Sequence, residues 1–415
     1  MSKLPTGWKF DTFENLGIQI IDGDRGNNYP KQNEFMQEGY CLFLSAKNVT
    51  KRGFEFTEKQ FISKEKDSLL RKGKLSKGDL VLTTRGTVGN IAFFNDSIKY
   101  DNIRINSGMV LLRVSDNVDK LFLYKVMTSD FIQQYIQNIA FGSAQPQLTV
   151  KEIKKFQIPL PPLEEQKKIA DILTTVDKKI AFVEENINAT EELKKGLMQK
   201  LLTEGIGHTE FKDSELGRIP ESWEVIKLEE VCTKIIGGGT PSKEVEQYWK
   251  NGNIFWATVK DMTANKKYLA STSDKITIEG LKNSSTNLIP KMNLITSTRM
   301  GLGRFFINTV DMAINQDLKA LIIKGSTNLD YTYWVLSSNS KNLEDMGTGT
   351  TVKGIKLQDL RNLKIPLPPL EEQKQIAEIL STVDNKLENL KEKKQSFEEL
   401  KKGLMQKLLT GEVRV

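Results

Sequence analysis

The sequence predicts an α+β chain: two similar globular α/β units separated by two long antiparallel helices forming a coiled coil, the halves related by a pseudo-two-fold axis. Three observations predict it. The 23-residue segment "IPLPPLEEQKKIADILTTVDKKI" from Ile158 returns as "IPLPPLEEQKQIAEILSTVDNKL" from Ile365, with 18 positions identical. The apolar residues in both copies step by three and four. Weaker repeats of strand-like pattern precede each copy.

The first unit, residues 1–157, opens on "LPTGWKF" and carries "LVLTTRGTVGNIAFF" from Leu80 and "IRINSGMVLLRV" from Ile103. Apolar runs around an Arg-containing, Gly-rich turn read as strands joined by hairpins and loops. A helix is expected near 119–138. Residues 158–211 then form a helical spacer and a link. Pro161 and Pro162 suit a helix start, where the missing N–H would have no partner anyway. Glu164 and Glu165 fall in the first turn, where the helix dipole favours negative charge. Ile169, Leu173, Val176, Ile180, Val183 and Ile187 keep the period of a coiled-coil seam. The register slips near Asn186–Asn188 and is expected to resume through Leu193, Leu197 and Leu201. Such a helix spans ~60 Å.

The second unit, residues 212–364, repeats the plan with "IPESWEV", "NLITSTRMGLGRFFI" and "DMAINQDLKALII", and a helix is expected near 329–346. The second spacer, residues 365–415, has Pro368, Pro369, Glu371 and Glu372, then Ile376, Leu380, Val383, Leu387 and Leu390. Past a slip at Lys394 its seam is expected to resume through Leu400, Leu404 and Leu408. "EELKKGLMQKLLT" occurs unchanged at 191–203 and 398–410, so the divergent stretch between matching blocks keeps its length. A helix acting as a spacer behaves this way, since its rise per residue fixes its reach. Domain termini often lie close together. The second helix then starts where the first ended and runs back.

Hydrophobic content of 38% with 27% charge allows real cores, and no apolar run approaches the roughly 18 residues of a membrane span. The N-terminus lacks a signal-peptide pattern, and Cys41 and Cys232 match no zinc spacing, so a reducing cytoplasm is the expected compartment. Residues 1–157 hold 23 basic against 17 acidic side chains, and 212–364 hold 21 against 17. The spacers hold 7 against 10 and 9 against 9. The positive excess therefore sits in the globular units, as phosphate binding requires, although two slightly basic domains without such a role would look the same. No P-loop and no Asn-Pro-Pro-aromatic motif occurs. His208 is the one histidine, expected in solvent in the link, which argues against a His-centred catalytic or metal site.

The two "IPLPPLEEQ" segments, each followed by "ELKKGLMQKLLT", with "WEVIKLEEV…GGGTPS" from Trp223 and "KGDLVLTTRGTVG" from Lys77, resemble the specificity subunit of type I restriction-modification enzymes. The resemblance covers essentially the whole chain, although "DGDRGNNYP" stands at Asp22–Pro30 where the second half has its Gly-Thr-Pro run. It implies two target recognition domains, each reading one half of a split duplex DNA target, with helices that set the gap and dock two modification subunits. Those methyltransferase partners would carry S-adenosylmethionine and methylate adenine. Motor-nuclease restriction subunits would bring ATP and magnesium. No cofactor, metal or catalytic residue is expected in this chain. A non-catalytic protein-binding adaptor with a coiled-coil scaffold is the alternative.

Arg85 and Arg299 sit in corresponding turns. Arginine reads guanine bidentately, binds phosphate or pairs with a local carboxylate. Thr87, Asn90, Arg304, Lys47 and Lys260 occupy neighbouring turn or strand-end positions. Asn106, Asn315 and Gln316 carry amides suited to adenine or to capping. Gly239, Thr240 and Ser242 lie in "GGGTPS", which is a phosphate cradle or a flexible turn. Trp8, Trp223 and Trp256 are expected in the core.

Overall fold

Proline pairs and acidic first turns start two long helices, Leu163–Leu201 and Leu370–Leu409. The computed structural model describes residues 4–140, 147–262, 266–348 and 353–415. The chain divides into two compact units, Met1–Glu184 with Lys393–Val415, and Glu185–Glu392. Each unit therefore holds a stretch of both helices.

Within the first unit Glu165 pairs with Arg414 at 2.8 Å, Asp177 with Lys401 at 2.6 Å and Glu184 with Lys394 at 3.1 Å. One number rises as the other falls, so the stretches run antiparallel. In the second unit Lys194 pairs with Asp384 at 2.5 Å and Glu191 with Lys391 at 2.9 Å, again antiparallel. Asp177–Lys401 and Asp384–Lys194 are the same pair in the two copies of the repeat. Leu193 and Leu400, expected in the seam, are instead exposed at 50% and 48%. The neighbouring lysines take the inward direction because an aspartate there receives their charge.

The globular part of the first unit has three layers. A central antiparallel sheet runs Gln19–Asp22, Met109–Arg113, Leu80–Thr83, Ile91–Phe93. Its two inner strands, Met109–Arg113 and Leu80–Thr83, are buried on both faces, with side chains alternating as strand geometry requires. Leu80, Leu82, Val110 and Leu112 pack with Phe122, Leu123, Ile132 and Ile136 of two short helices and with Ile169 and Leu173 of the long one. Val81, Met109 and Leu111 pack the other way, onto Leu42, Leu44, Ile103 and Ile105 of a second sheet. That sheet runs Phe61–Ile62, Cys41–Leu44, Ile103–Ile105, with one antiparallel and one parallel pairing.

The second unit repeats the arrangement with longer sheets: Cys232–Gly237, Leu318–Ile323, Leu294–Ser297, Phe305–Asn308, Tyr268–Leu269 at the centre, and Asp274–Ile276, Ile254–Ala257, Met312–Ile314, Asn287–Ile289 beside it. Leu294, Ile307 and Leu321 face Trp334, Ile376 and Leu380. Ile295, Phe306 and Ala320 face Ala257, Met312 and Ile314. The helix expected near 119–138 is two, Lys120–Met127 and Asp130–Ala140, and that near 329–346 is Leu329–Ser338 and Ser340–Met346.

Candidate nucleic-acid interface

In the first unit strand pairing sets Asp22 opposite Val110 and Thr83 opposite Met109. Three loops leave the central sheet at that level. In the second unit Gly237 stands opposite Lys319 and Ser297 opposite Leu318, with the same loops beyond. Close backbone packing holds them. A Cβ on Gly23 would lie 2.1 Å from the Asn106 carbonyl oxygen, and one on Gly238 would lie 2.0 Å from that of Ile314, so only glycine fits at either place. Asn106 Oδ1 accepts the Gly108 N–H at 2.8 Å, and Asn315 Oδ1 accepts the Asp317 N–H at 3.2 Å. Thr84 N–H donates to the Gly108 carbonyl and Thr298 N–H to that of Asp317, both at 2.8 Å. These bonds fix the arginine turns: Arg85 bridges to Gln147 and Arg299 to Gly354.

Arg85, Thr87 and Arg299 are exposed there. Neither guanidinium has a hydrogen bond or ion pair among the described residues, so both are available for an anion. Thr240 donates its hydroxyl to Oε1 of the exposed Gln316. Asn106 and Asn315 are buried or half-buried and hold their turns, as the capping alternative requires. The phosphate cradle does not fit at Gly239: its N–H donates to the Ile314 carbonyl at 3.0 Å and its carbonyl accepts the buried Trp256 Nε1 at 3.1 Å. Ser242 is exposed, its carbonyl taken by Trp249 Nε1 at 3.0 Å.

The remaining candidates are less free. Asn90 gives its amide to the Val49 carbonyl at 2.9 Å, and Lys47 is ion-paired with Glu58 at 2.7 Å on the surface. Arg304 Nη1 donates to the Met262 carbonyl at 3.1 Å, and Lys260 is exposed on the one-turn helix Val259–Asp261.

Two basic residues escaped the sequence reading. Arg25 lies in the loop that replaces the Gly-Thr-Pro run, and its Nη2 donates to Asp22 and to the Ser107 carbonyl, each at 3.2 Å. Asp24 anchors that loop through the N–H groups of Gly26 and Arg71, which hold its carboxyl below the usual range. Lys319 Nζ donates to the Gln316 carbonyl at 3.0 Å; burial pulls its ammonium pKa down, Asp317 opposes this and Arg299 adds to it. A lysine inside an otherwise apolar strand run was the available signal.

The repeated "LEEQ" has a structural explanation. Trp8 Nε1 donates to Glu165 at 3.1 Å, and Trp223 Nε1 to Glu372 at 3.0 Å. Trp8, Trp223 and Trp256 are all buried, as expected. Gln166 accepts the Asp119 N–H at 2.8 Å and donates to the Pro161 carbonyl at 2.9 Å. Gln373 does the same with Asn328 at 2.9 Å and Pro368 at 2.8 Å. Each glutamine thereby ties the start of a long helix to the N-cap of a short one. His208, expected in solvent, is corrected: its Nε2 lies 2.8 Å from Glu372 and its ring meets Trp223 edge-on. Gln373→Ala leaves the buried Pro368 carbonyl without its partner, at about 1–3 kcal/mol, and the half-buried Asn328 N–H without its own. Thermal melting is expected to show a clear loss of stability, and an unchanged midpoint would contradict the anchor.

The family model "Type I restriction modification DNA specificity domain" matches residues 7–192 and again 220–399. The chain belongs to that family. It is 30% identical to the type I restriction enzyme MjaVIII specificity subunit of Methanocaldococcus jannaschii, over 91% of this chain and 87% of the relative. It is 34% identical to the type I restriction enzyme EcoR124I/EcoR124II specificity subunit of Escherichia coli, over 36% of this chain and 38% of the other. The fold resembles the crystal structure of the type I restriction-modification system S subunit from M. genitalium, with a TM-score of 0.62 at 17% identity, covering 99% of this chain and 97% of that one. The chain is thus a DNA sequence-specificity subunit acting with restriction-modification partners, and no described helix is long and apolar enough to cross a membrane.

Proposed function

We propose that each unit reads one half of a bipartite duplex target, and that the two long helices pair as an antiparallel coiled coil that sets the gap. The observation that carries this reading is the duplicated arginine turn, with Arg85 and Arg299 exposed on equivalent hydrogen-bonded scaffolds. Duplex backbones have two-fold symmetry, and paired readers exploit it with separated half-sites. Antiparallel ion pairs within each unit support the helical ruler. Two methyltransferase subunits dock on the helices, and motor-nuclease subunits join them. S-adenosylmethionine, ATP and magnesium belong to those partners, and this chain is non-catalytic.

Arg85→Ala and Arg299→Ala are expected to act on opposite halves of the target, each with a discrimination loss of about 1–3 kcal/mol if the contact is to a base. Binding titrations against DNA altered in one half at a time check this, and relaxation of both halves by one substitution would contradict it. Log affinity is expected to fall with log salt, with a slope of about −0.9 per phosphate neutralised. A flat salt response would favour the protein-binding adaptor.

A further inference from the structure

The two units serve as each other's comparison. Strand register and turn bonds equate Gly23 with Gly238, Asn106 with Asn315 and Arg85 with Arg299. The same register equates Arg25 with Thr240 and Ser107 with Gln316. These two positions touch each other in both units: Arg25 Nη2 donates to the Ser107 carbonyl at 3.2 Å, and Thr240 donates to Gln316 Oε1. Scaffold and arginine turn are kept, whereas this contacting pair changes chemistry.

Phosphate groups are the same along any duplex, and base edges are not. A residue for the backbone, or for a base that both half-sites share, can be the same in both readers; the residues that set the half-sites apart must differ. We infer that the pairs Arg25·Ser107 and Thr240·Gln316 are specificity-determining positions of the two half-sites, with Thr240 positioning the Gln316 amide. This rests on the reading of one half-site per unit. The chemistry assigns a base to each. Gln316 is exposed, its Nε2 has no partner among the described residues, and Oε1 keeps a second lone pair beside the Thr240 bond. An amide so presented meets adenine N6 and N7 bidentately. Arg25 is exposed, and its Nη1 has no partner among the described residues, so it can donate to guanine O6 or N7; a bidentate contact also takes Nη2, drawn from Asp22 and the Ser107 carbonyl.

The test uses the full chain reconstituted with its methyltransferase partners, with the target defined by mapping methylated adenine. Gln316→Ala is expected to lower discrimination at one base pair of one half-site by about 5- to 150-fold, with affinity for scrambled DNA unchanged. Arg25→Gln is expected to act on the other half-site alone. Thr240→Val is expected to relax the same base pair as Gln316→Ala, Thr240→Ser to retain discrimination, and the double change to be no worse than Gln316→Ala. Gln316 is on the surface, so its replacement tests the pair even if a Thr240 variant fails to fold. Equal weakening on target and scrambled DNA, or unchanged discrimination, would overturn the assignment while leaving the one-unit, one-half-site reading intact. A parent complex whose target is one continuous sequence would instead overturn that underlying reading.

Discussion

Insertion of seven residues near Ala189 and again near Ser396 is expected to lengthen the gap between half-sites while leaving both half-site sequences unchanged. The positions are equivalent in the repeat: Ala189 lies between Glu184 and Glu191, and Ser396 between Lys394 and Lys401. Seven residues keep a heptad register, whereas three or four introduce a stammer or stutter. Each helix grows by ~10 Å, room for roughly three base pairs. Those base pairs also rotate one half-site by about 100°, so efficiency on the new target falls. Methylation mapping that returned the old gap at full efficiency would refute the ruler.

Asp67→Ala is expected to destabilise the first unit by about 3–5 kcal/mol. Asp67 is buried between Arg104 Nε at 2.5 Å and Lys74 Nζ at 2.6 Å, and Arg104 is only 5% exposed. Burial pushes the carboxyl pKa up, but the two cations outweigh it and the net shift is downward. A depressed carboxylate contributes stability above its unfolded pKa and loses it as pH falls through the folded value. Removing the carboxylate leaves the Arg104 guanidinium in a protein interior with only carbonyl partners, which is why the loss is large. Calorimetry is expected to show one transition moving down, with the second unit unaffected; no shift would contradict the triad.

The repeat made most of the architecture legible. Identity between distant segments needs no propensity argument, and the apolar stepping gave both helices. What failed needed contacts distant in sequence. Leu193 fits a heptad as well as Lys194 does; that the lysine turns inward depends on Asp384, nearly two hundred residues away. The glycines at 237–239 look alike whether they cradle an anion or admit another backbone, and only the Ile314 carbonyl decides. Arg25 was hidden because its loop shares few letters with the Gly-Thr-Pro run, and the equivalence is carried by strand register. His208 needed Glu372 to be seen as anchored. Trp8, Trp223 and Trp256 were readable because large aromatics rarely stay in solvent.

The central claim is that each unit reads its own half of the target across a gap set by the helices. Its most direct test replaces residues 212–364 with the corresponding segment of a family member of different specificity, keeps both spacers, and maps methylated adenine across a genome. The account predicts a target in which one half-site is new, the other is retained and the gap is the same. A target altered in both halves, or in neither, would contradict it.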